Sequence, residues 1–251
     1  MRADAEVIAD LVLAYKILVN EAVLDSFGHI SARSPTNPQT FLLPRAMPPS
    51  LVEADDVLEL AVETSQPLDP RGRRVNGERY LHGEIYKARP DVNAIVHSHS
   101  QAVIPFSLTG VALRPVIVQA GFMPLSVPNF EIRDVRGNTR GMQITDPERG
   151  AALAKTLGNG PLALLRGHGN VVVGSSVKQA TVFAAYTDIN ARMQRQALQI
   201  DRTIVAMDEL ELFEPWEFDI NRPWENFRQK LLSDTARGAI DRSQFGLAHT
   251  Q

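Results

Sequence analysis

From Asp4 to Ala22, apolar residues recur at Val7, Ile8, Leu11, Val12, Tyr15, Leu18, Val19 and Ala22, the spacing of an amphipathic helix packed on a core. The period then changes. Gly28 to Ser34 alternates like a strand, Asn37-Pro38 makes a turn, Phe41-Leu42-Leu43 begins a second strand, and Val57 to Val62 reads as a third. Pro44, Pro48 and Pro49 break the backbone around Arg45 and leave that cation on a stiff loop. Beyond a polar turn from Ser65 to Arg74, Glu78 to Ala88 reads as a helix with Leu81, Ile85 and Ala88 on one face, closed by Arg89-Pro90.

Ala94-Ile95-Val96 is an unbroken apolar run, the mark of a strand buried on both faces. A short helix from Gln101 to Leu108 follows, then strands near Val116-Ile117-Val118 and Phe130-Glu131-Ile132. Asp146-Pro147 has the form of an N-cap with proline at the first helical position, opening a helix that ends before Gly158. Leu162 to Leu165 and Val171 to Val173 are further strands, and Ser176 with Gln179 has capping-box spacing for a long helix reaching about Ile200. The stretch 209–251 carries Trp216, Phe218, Trp224 and Phe227 and is expected to be a packing arm, lying on a neighbouring subunit or on the chain's own core. No repeat or linker interrupts the pattern, so residues 1–251 are expected to form a single domain.

Composition narrows the chemistry. Hydrophobic content of 44% and charged content of 22% are ordinary for a globular protein, and a net charge of −3 gives no reason to expect nucleic acid or an anionic membrane as partner. The sequence has no cysteine, so disulfides and thiolate metal sites are excluded, and any metal must be held by histidine and carboxylate. With no signal-like start and no run of membrane-spanning length, a cytoplasmic location is expected.

His97-Ser98-His99 ends the apolar strand at Ala94–Val96. Residues two apart on a strand point to the same side, so the two imidazoles would project together, well placed to grip a divalent metal. Such a pair alone is equally compatible with histidines that only hydrogen-bond. His168 follows another buried strand and stands between Gly167 and Gly169, where the backbone can approach a ligand closely; its alternative reading is an ordinary loop histidine. Glu78, at the start of the helix that leads towards His97, is a candidate oxygen ligand.

Several of these residues fall into one pattern. Glu78-x-x-x-His82 with Ile85-Tyr86, the run from Arg89-Pro90-Asp91 to His97-Ser98-His99, and Leu165-Arg166-Gly167-His168-Gly169 with Gly174 together resemble the class II aldolase/adducin family, over most of the chain up to about Ile200. The resemblance implies an α/β fold, a three-layer α/β/α sandwich around a largely antiparallel central sheet. It also implies a homo-oligomer, commonly a tetramer, with sites near subunit interfaces. His97, His99 and His168 match the metal-binding histidines. Glu78 matches the glutamate that ligates the resting metal and serves as acid/base. One divalent ion (zinc, manganese, iron or cobalt) is the expected cofactor and a small molecule the expected partner.

The departures from the sugar-phosphate aldolases concern the phosphate cradle. Those enzymes carry Gly-Asn-Val-Ser where this chain has Gly28-His29-Ile30-Ser31, Thr-Gly where it has Arg45-Ala46, and paired serines where it has Asn76-Gly77. A planar guanidinium suits a carboxylate better than a phosphate cradle would. His82-Gly83-Glu84-Ile85-Tyr86, the His-Ser-His-Ser run and Ile104-Pro105-Phe106-Ser107 resemble most the decarboxylase branch, which acts on hydroxylated aromatic or pyridine dicarboxylates. Arg45 and Asn76 are then expected to bind substrate, and Glu78 or His29 to handle the proton, with His82 a structural helix residue. Alternatives are an aldolase or epimerase on an unphosphorylated hydroxy-carbonyl compound, a non-haem iron oxygenase, and a non-catalytic adducin-like module. The last would be expected to have lost its metal ligands, which are all present here.

Overall fold

The computed structural model describes residues 2–138, 140–215 and 217–244. Its strands are β1 (His29–Arg33), β2 (Thr40–Pro44), β3 (Val57–Ala61), β4 (Ala94–Ser98), β5 (Asn129–Phe130), β6 (Leu162–Leu165) and β7 (Gly169–Gly174). They form one seven-stranded sheet in the order β3-β2-β1-β4-β7-β6-β5. Every neighbouring pair is antiparallel except β5 with β6.

The central strands alternate between two apolar clusters. Val96, Leu164 and Val172 face one, shared with Leu11 of α1 (Arg2–Asn20), Phe183 of α5 (Val177–Ile200) and Trp224 of α6 (Asn221–Gln244). Ile95, Leu165, Val171 and Val173 face the other, shared with Leu81 and Ile85 of α2 (Arg79–Ala88) and Leu153 of α4 (Pro147–Leu157). α3 (Ile104–Leu108) packs on the first cluster through Phe106. The result is the expected three-layer α/β/α arrangement around a largely antiparallel sheet. Among the described residues no helix is long and apolar enough to cross a membrane.

Local chemistry sets most boundaries. Asp146 accepts from the Arg149 N–H to cap α4, and Ser176 accepts from the Gln179 N–H to cap α5. In β1, pairing with β2 begins only at Ala32. At Ile30 the Tyr15 hydroxyl takes over, accepting from the Ile30 N–H at 2.7 Å and donating to its carbonyl at 3.1 Å. The strand that lines the site is thereby tied to the first helix without an unsatisfied backbone group.

Three expectations change. No strand forms at Val116–Val118: the backbone at Arg114 and Val116 is held instead by α5 side chains. Asn190 accepts from the Val116 N–H and donates to the Arg114 carbonyl, while Gln194 accepts from the Arg114 N–H. The strand expected at Phe130–Ile132 is cut to Asn129–Phe130, because Glu131 accepts from the Arg133 N–H and starts a 3-10 turn over Ile132–Asp134. The helix expected from Gln101 is reduced to Ile104–Leu108. In the C-terminal stretch, Trp224 and Phe227 of α6 are buried against the chain's own core, and Phe218 stacks on Phe213. Trp216 lies outside the described residues.

β6 and β7 are joined by a tight hairpin, Leu165 pairing with Gly169. Gly167 adopts φ +65°, and a Cβ on Gly169 would sit 2.1 Å from the Ser98 carbonyl oxygen of β4. Since backbone rather than a flexible side chain blocks that space, Gly169→Ala is expected to cost roughly 1–3 kcal/mol, the range for overpacking. Thermal melts should show a Tm lower by several degrees, and a native-like Tm would show that the strands tolerate the added methyl.

Candidate functional site

The register of the sheet assembles the site. His29 of β1 lies opposite His97 of β4, and Ser98 opposite Asn170 of β7. The β6–β7 turn then carries His168 to the same end, its ring centroid 4.9 Å from that of His97 and 5.1 Å from that of His99. Glu78 stands at the N-cap of α2 but does not cap it. Its backbone N–H donates to Asn76 Oδ1, and its Oε1 accepts from the Ile144 N–H at 2.8 Å.

Glu78, His97, His99 and His168 each offer one ligand atom, all within 4.8 Å of one another. The hydrogen bonds fix which ring nitrogens are bare. His97 Nδ1 faces the Asn170 carbonyl, which can only accept, so the proton is at Nδ1 and Nε2 carries a lone pair. His99 Nδ1 faces both oxygens of Asp25 at 3.1 Å, which places its proton there and bares its Nε2. These two Nε2 atoms lie 3.2 Å apart. Two lone pairs that close repel unless a cation lies between them. Glu78 completes the set, 3.9 Å from His97 Nε2 and 3.6 Å from His168 Nε2. Three imidazole nitrogens and a carboxylate fit a divalent ion, and the donor set alone does not choose between zinc, manganese, iron and cobalt.

The charge states agree with that use. Burial, and then the neighbouring His29, push the His97 pKa well below the ordinary histidine value. Burial likewise lowers His168, with Glu78 opposing it. For Glu78, burial alone would raise the carboxyl, but His29, His97 and His168 outweigh it and hold it well below the usual carboxylate range. Partial burial would raise Asp25, yet the Phe27 N–H, His99 and the Gly28 N–H together keep it lowered. The site thus pairs imidazoles held neutral at His97 and His168 with ionised carboxylates at Glu78 and Asp25.

The Class II Aldolase and Adducin N-terminal domain family matches residues 9–195 of this chain. The chain belongs to the class II aldolase and adducin family. Among curated relatives, Decarboxylase tropJ of Talaromyces stipitatus is 34% identical over 203 residues, covering 76% of each chain. The 3,4-dihydroxyphthalate decarboxylase of Arthrobacter keyseri is 29% identical over 74% of this chain and 76% of its own. In structure, the chain is similar to an aldolase II superfamily protein from Pseudomonas syringae, with TM-score 0.77 and 21% identity over 93% of this chain and 95% of that one.

The remaining expected residues of this class II aldolase fold member are placed differently. His29 joins the cluster's edge, its Nε2 3.6 Å from Glu78 Oε2. Arg45 donates through Nε to Asp56 at 2.8 Å. Asn76 uses its Oδ1 on Glu78 and so shapes that residue directly. His82, expected to be structural, bonds from α2 to His29 and Ser31 of β1. Asp25, the Asn170 carbonyl and the Ile144 N–H escaped the sequence reading, since backbone groups leave no residue-type signal and Asp25 lies far from any motif.

His82 and His97 are fully buried and depressed in pKa, so the unfolded chain binds protons that the fold refuses once pH falls below the ordinary value of 6.5. Stability of the metal-free protein is therefore fully present above about pH 6.5 and lost below it, by up to about 1.4 kcal/mol per pH unit for each ring. Glu78, lowered from 4.5, adds a further loss in the acid range below that value. Thermal melts of metal-free protein should fall steeply between about pH 6.5 and pH 5, and a flat profile would mean that these rings are charged or hydrated in the fold.

Proposed function

We propose that this chain is a divalent-metal-dependent carbon–carbon lyase that decarboxylates a hydroxylated aromatic or pyridine dicarboxylate. The observation that carries the reading is the pair of bare His97 and His99 nitrogens 3.2 Å apart, backed by Glu78 and His168. The decarboxylase names of the relatives support the reaction class. The exposed apolar side chains Ile200, Val205 and Leu210 support assembly into a homo-oligomer, read as a cytoplasmic tetramer of single-domain chains.

His97, His99 and His168 would hold the ion, with Glu78 as a further ligand only while no substrate is bound. Bound there, a divalent ion supplies Lewis-acid stabilisation of the electron pair left on carbon when a C–C bond breaks. The protein's own groups do the rest. Glu78 is ionised, and Ile144 occupies its Oε1, so Oε2 is free to take the proton of the substrate hydroxyl. When CO₂ departs, that proton is returned from Oε2 to the ring carbon that lost the carboxyl group. Asp56 holds Arg45 through Nε alone, leaving the terminal edge of the guanidinium for a second substrate carboxylate. Asn76 keeps its amide N–H₂ for substrate while its Oδ1 holds Glu78 in place.

The test is a CO₂-release screen over hydroxylated aromatic and pyridine dicarboxylates, run with metal-stripped protein and after return of zinc, manganese, iron or cobalt. Activity should vanish on stripping and return with one of these ions; aldol cleavage of an unphosphorylated hydroxy-carbonyl compound without CO₂ release would replace the reading with the aldolase one. Glu78→Gln should lower turnover about a hundredfold or more while the protein still melts cooperatively. A variant with near-parental turnover removes Glu78 from the chemistry.

Arg45→Lys keeps the charge and loses the planar fork. Both Arg45→Lys and Arg45→Ala should raise KM for a dicarboxylate about tenfold or more at unchanged metal content, as expected when a hydrogen bond between charged groups is lost. Unchanged KM in both would place the second carboxylate elsewhere.

A further inference from the structure

We propose that Tyr86, Ser31 and His82 form a buried hydrogen-bond chain that fixes the neutral tautomer of His29, so that His29 meets the substrate as an N–H donor at Nε2. The chain is continuous. Tyr86 OH lies 2.8 Å from Ser31 Oγ, Ser31 Oγ 2.7 Å from His82 Nδ1, and His82 Nε2 2.6 Å from His29 Nδ1. All four side chains are buried, none more than 3% exposed.

Each of these contacts holds one hydrogen, so the chain runs in one of two polarities, apart from a mixed arrangement in which Ser31 accepts from both neighbours and strands its own buried hydrogen. In one, Tyr86 donates to Ser31, Ser31 donates to His82 Nδ1, and His82 donates from Nε2 to His29 Nδ1. The proton of His29 is then at Nε2. In the other, every donor is reversed, and the Tyr86 hydroxyl accepts from Ser31. Its own hydrogen would then have no acceptor, because Ser31 is its only partner among the described residues. A buried O–H without an acceptor is costly, and burial also holds the Tyr86 hydroxyl protonated. The polarity is therefore set at the hydroxyl end, by Ser31 and Tyr86 together, away from the place where it matters.

Its consequence lies at the other end. His29 Nε2 has no hydrogen-bond partner at normal distance, but its N–H faces the ionised Glu78 Oε2 at 3.6 Å, where a bare nitrogen would be repelled, and the His97 ring lies 4.9 Å away between centroids. The cluster opposite consists of bare imidazole nitrogens and an ionised carboxylate, so this N–H is a donor among acceptors. It suits an anionic oxygen of the substrate; that part rests on the carboxylate substrate proposed above, whereas the tautomer does not. Tyr86, Ser31 and His82 are positioning residues, His29 is an anion-binding group, and Glu78 alone carries the proton.

The experiment is nitrogen NMR on the full chain, zinc-loaded, without substrate, with ¹⁵N in histidine only. The expected spectrum shows coupling between His82 Nε2 and His29 Nδ1 across their hydrogen bond, with the hydrogen on His82 and a second one on His29 Nε2. Tyr86→Phe should leave both hydrogens in place, because a reversed chain would then strand the Ser31 hydrogen. Ser31→Ala removes the donor to His82 Nδ1 and should produce a second population with the hydrogen on His29 Nδ1. The proposal is overturned if the parent carries the hydrogen on His29 Nδ1, a result that needs no variant to fold, or if the tautomers are unchanged in folded Ser31→Ala. Since no substrate is present, a failed CO₂ screen leaves this result standing, and a failed tautomer leaves the screen standing.

Discussion

The site depends on the antiparallel register that holds β4 between β1 and β7. With side chains alternating at period two, Ile95 and His97 share one face while Val96 points to the other. A slip of one residue would turn His97 into the α1–α5 core and leave an apolar side chain among the candidate ligands. The register is secured by what surrounds it: Val96 and Val172 in one core, Ile95, Val171 and Val173 in the other, and the Tyr15 hydroxyl on Ile30 where β2 stops pairing. Apolar packing thus places polar atoms. The sheet's middle strands are buried on both faces, and their ends, where packing gives way, carry the chemistry.

What the sequence made legible were features that a residue type announces. The His97–His99 spacing, His168 between glycines and the capped starts of α4 and α5 all follow from short-range rules. What it hid were backbone partners and long-range pairings. The Asn170 carbonyl and the Ile144 N–H are available at any residue type, and only the fold brings them to His97 and Glu78. The Val116 run illustrates the opposite failure: its side chains favour a strand, but Asn190 and Gln194 hold the backbone at Val116 and Arg114 instead. Ser31 was within reach of sequence reasoning, since it lies two residues from His29 on the same strand and so on the same face.

Arg45 and Asn76 show how a residue can be at once structural and available. Arg45 spends Nε on Asp56, and Asn76 spends Oδ1 on the Glu78 N–H. Neither contact uses the whole group. A guanidinium held at one edge is more rigid than a free one, and less entropy is lost when its other edge binds an anion. The same argument applies to His99, whose Asp25 partner orients the ring and leaves the other nitrogen bare.

The polarity of hydrogen bonds, more than the identity of the residues, separates the two sides of this site. At His97 and His99 the outer nitrogens donate to fixed acceptors, the Asn170 carbonyl and the Asp25 carboxylate, and so the inner nitrogens must accept. At His29 the outer nitrogen faces His82, which is itself ambivalent, so the outcome passes down the chain to the end that has no choice. That end is formed by the Ser31 and Tyr86 hydroxyls, whose hydrogens would otherwise have no acceptor among the described residues. Histidines of identical composition are thereby sorted into rings that present a lone pair and a ring that presents an N–H, by partners outside the site. A fold in which those partners sit on sheet and helix interiors can change the loops around Arg45 without disturbing the sorting, and this gives one scaffold room for several C–C bond-breaking reactions.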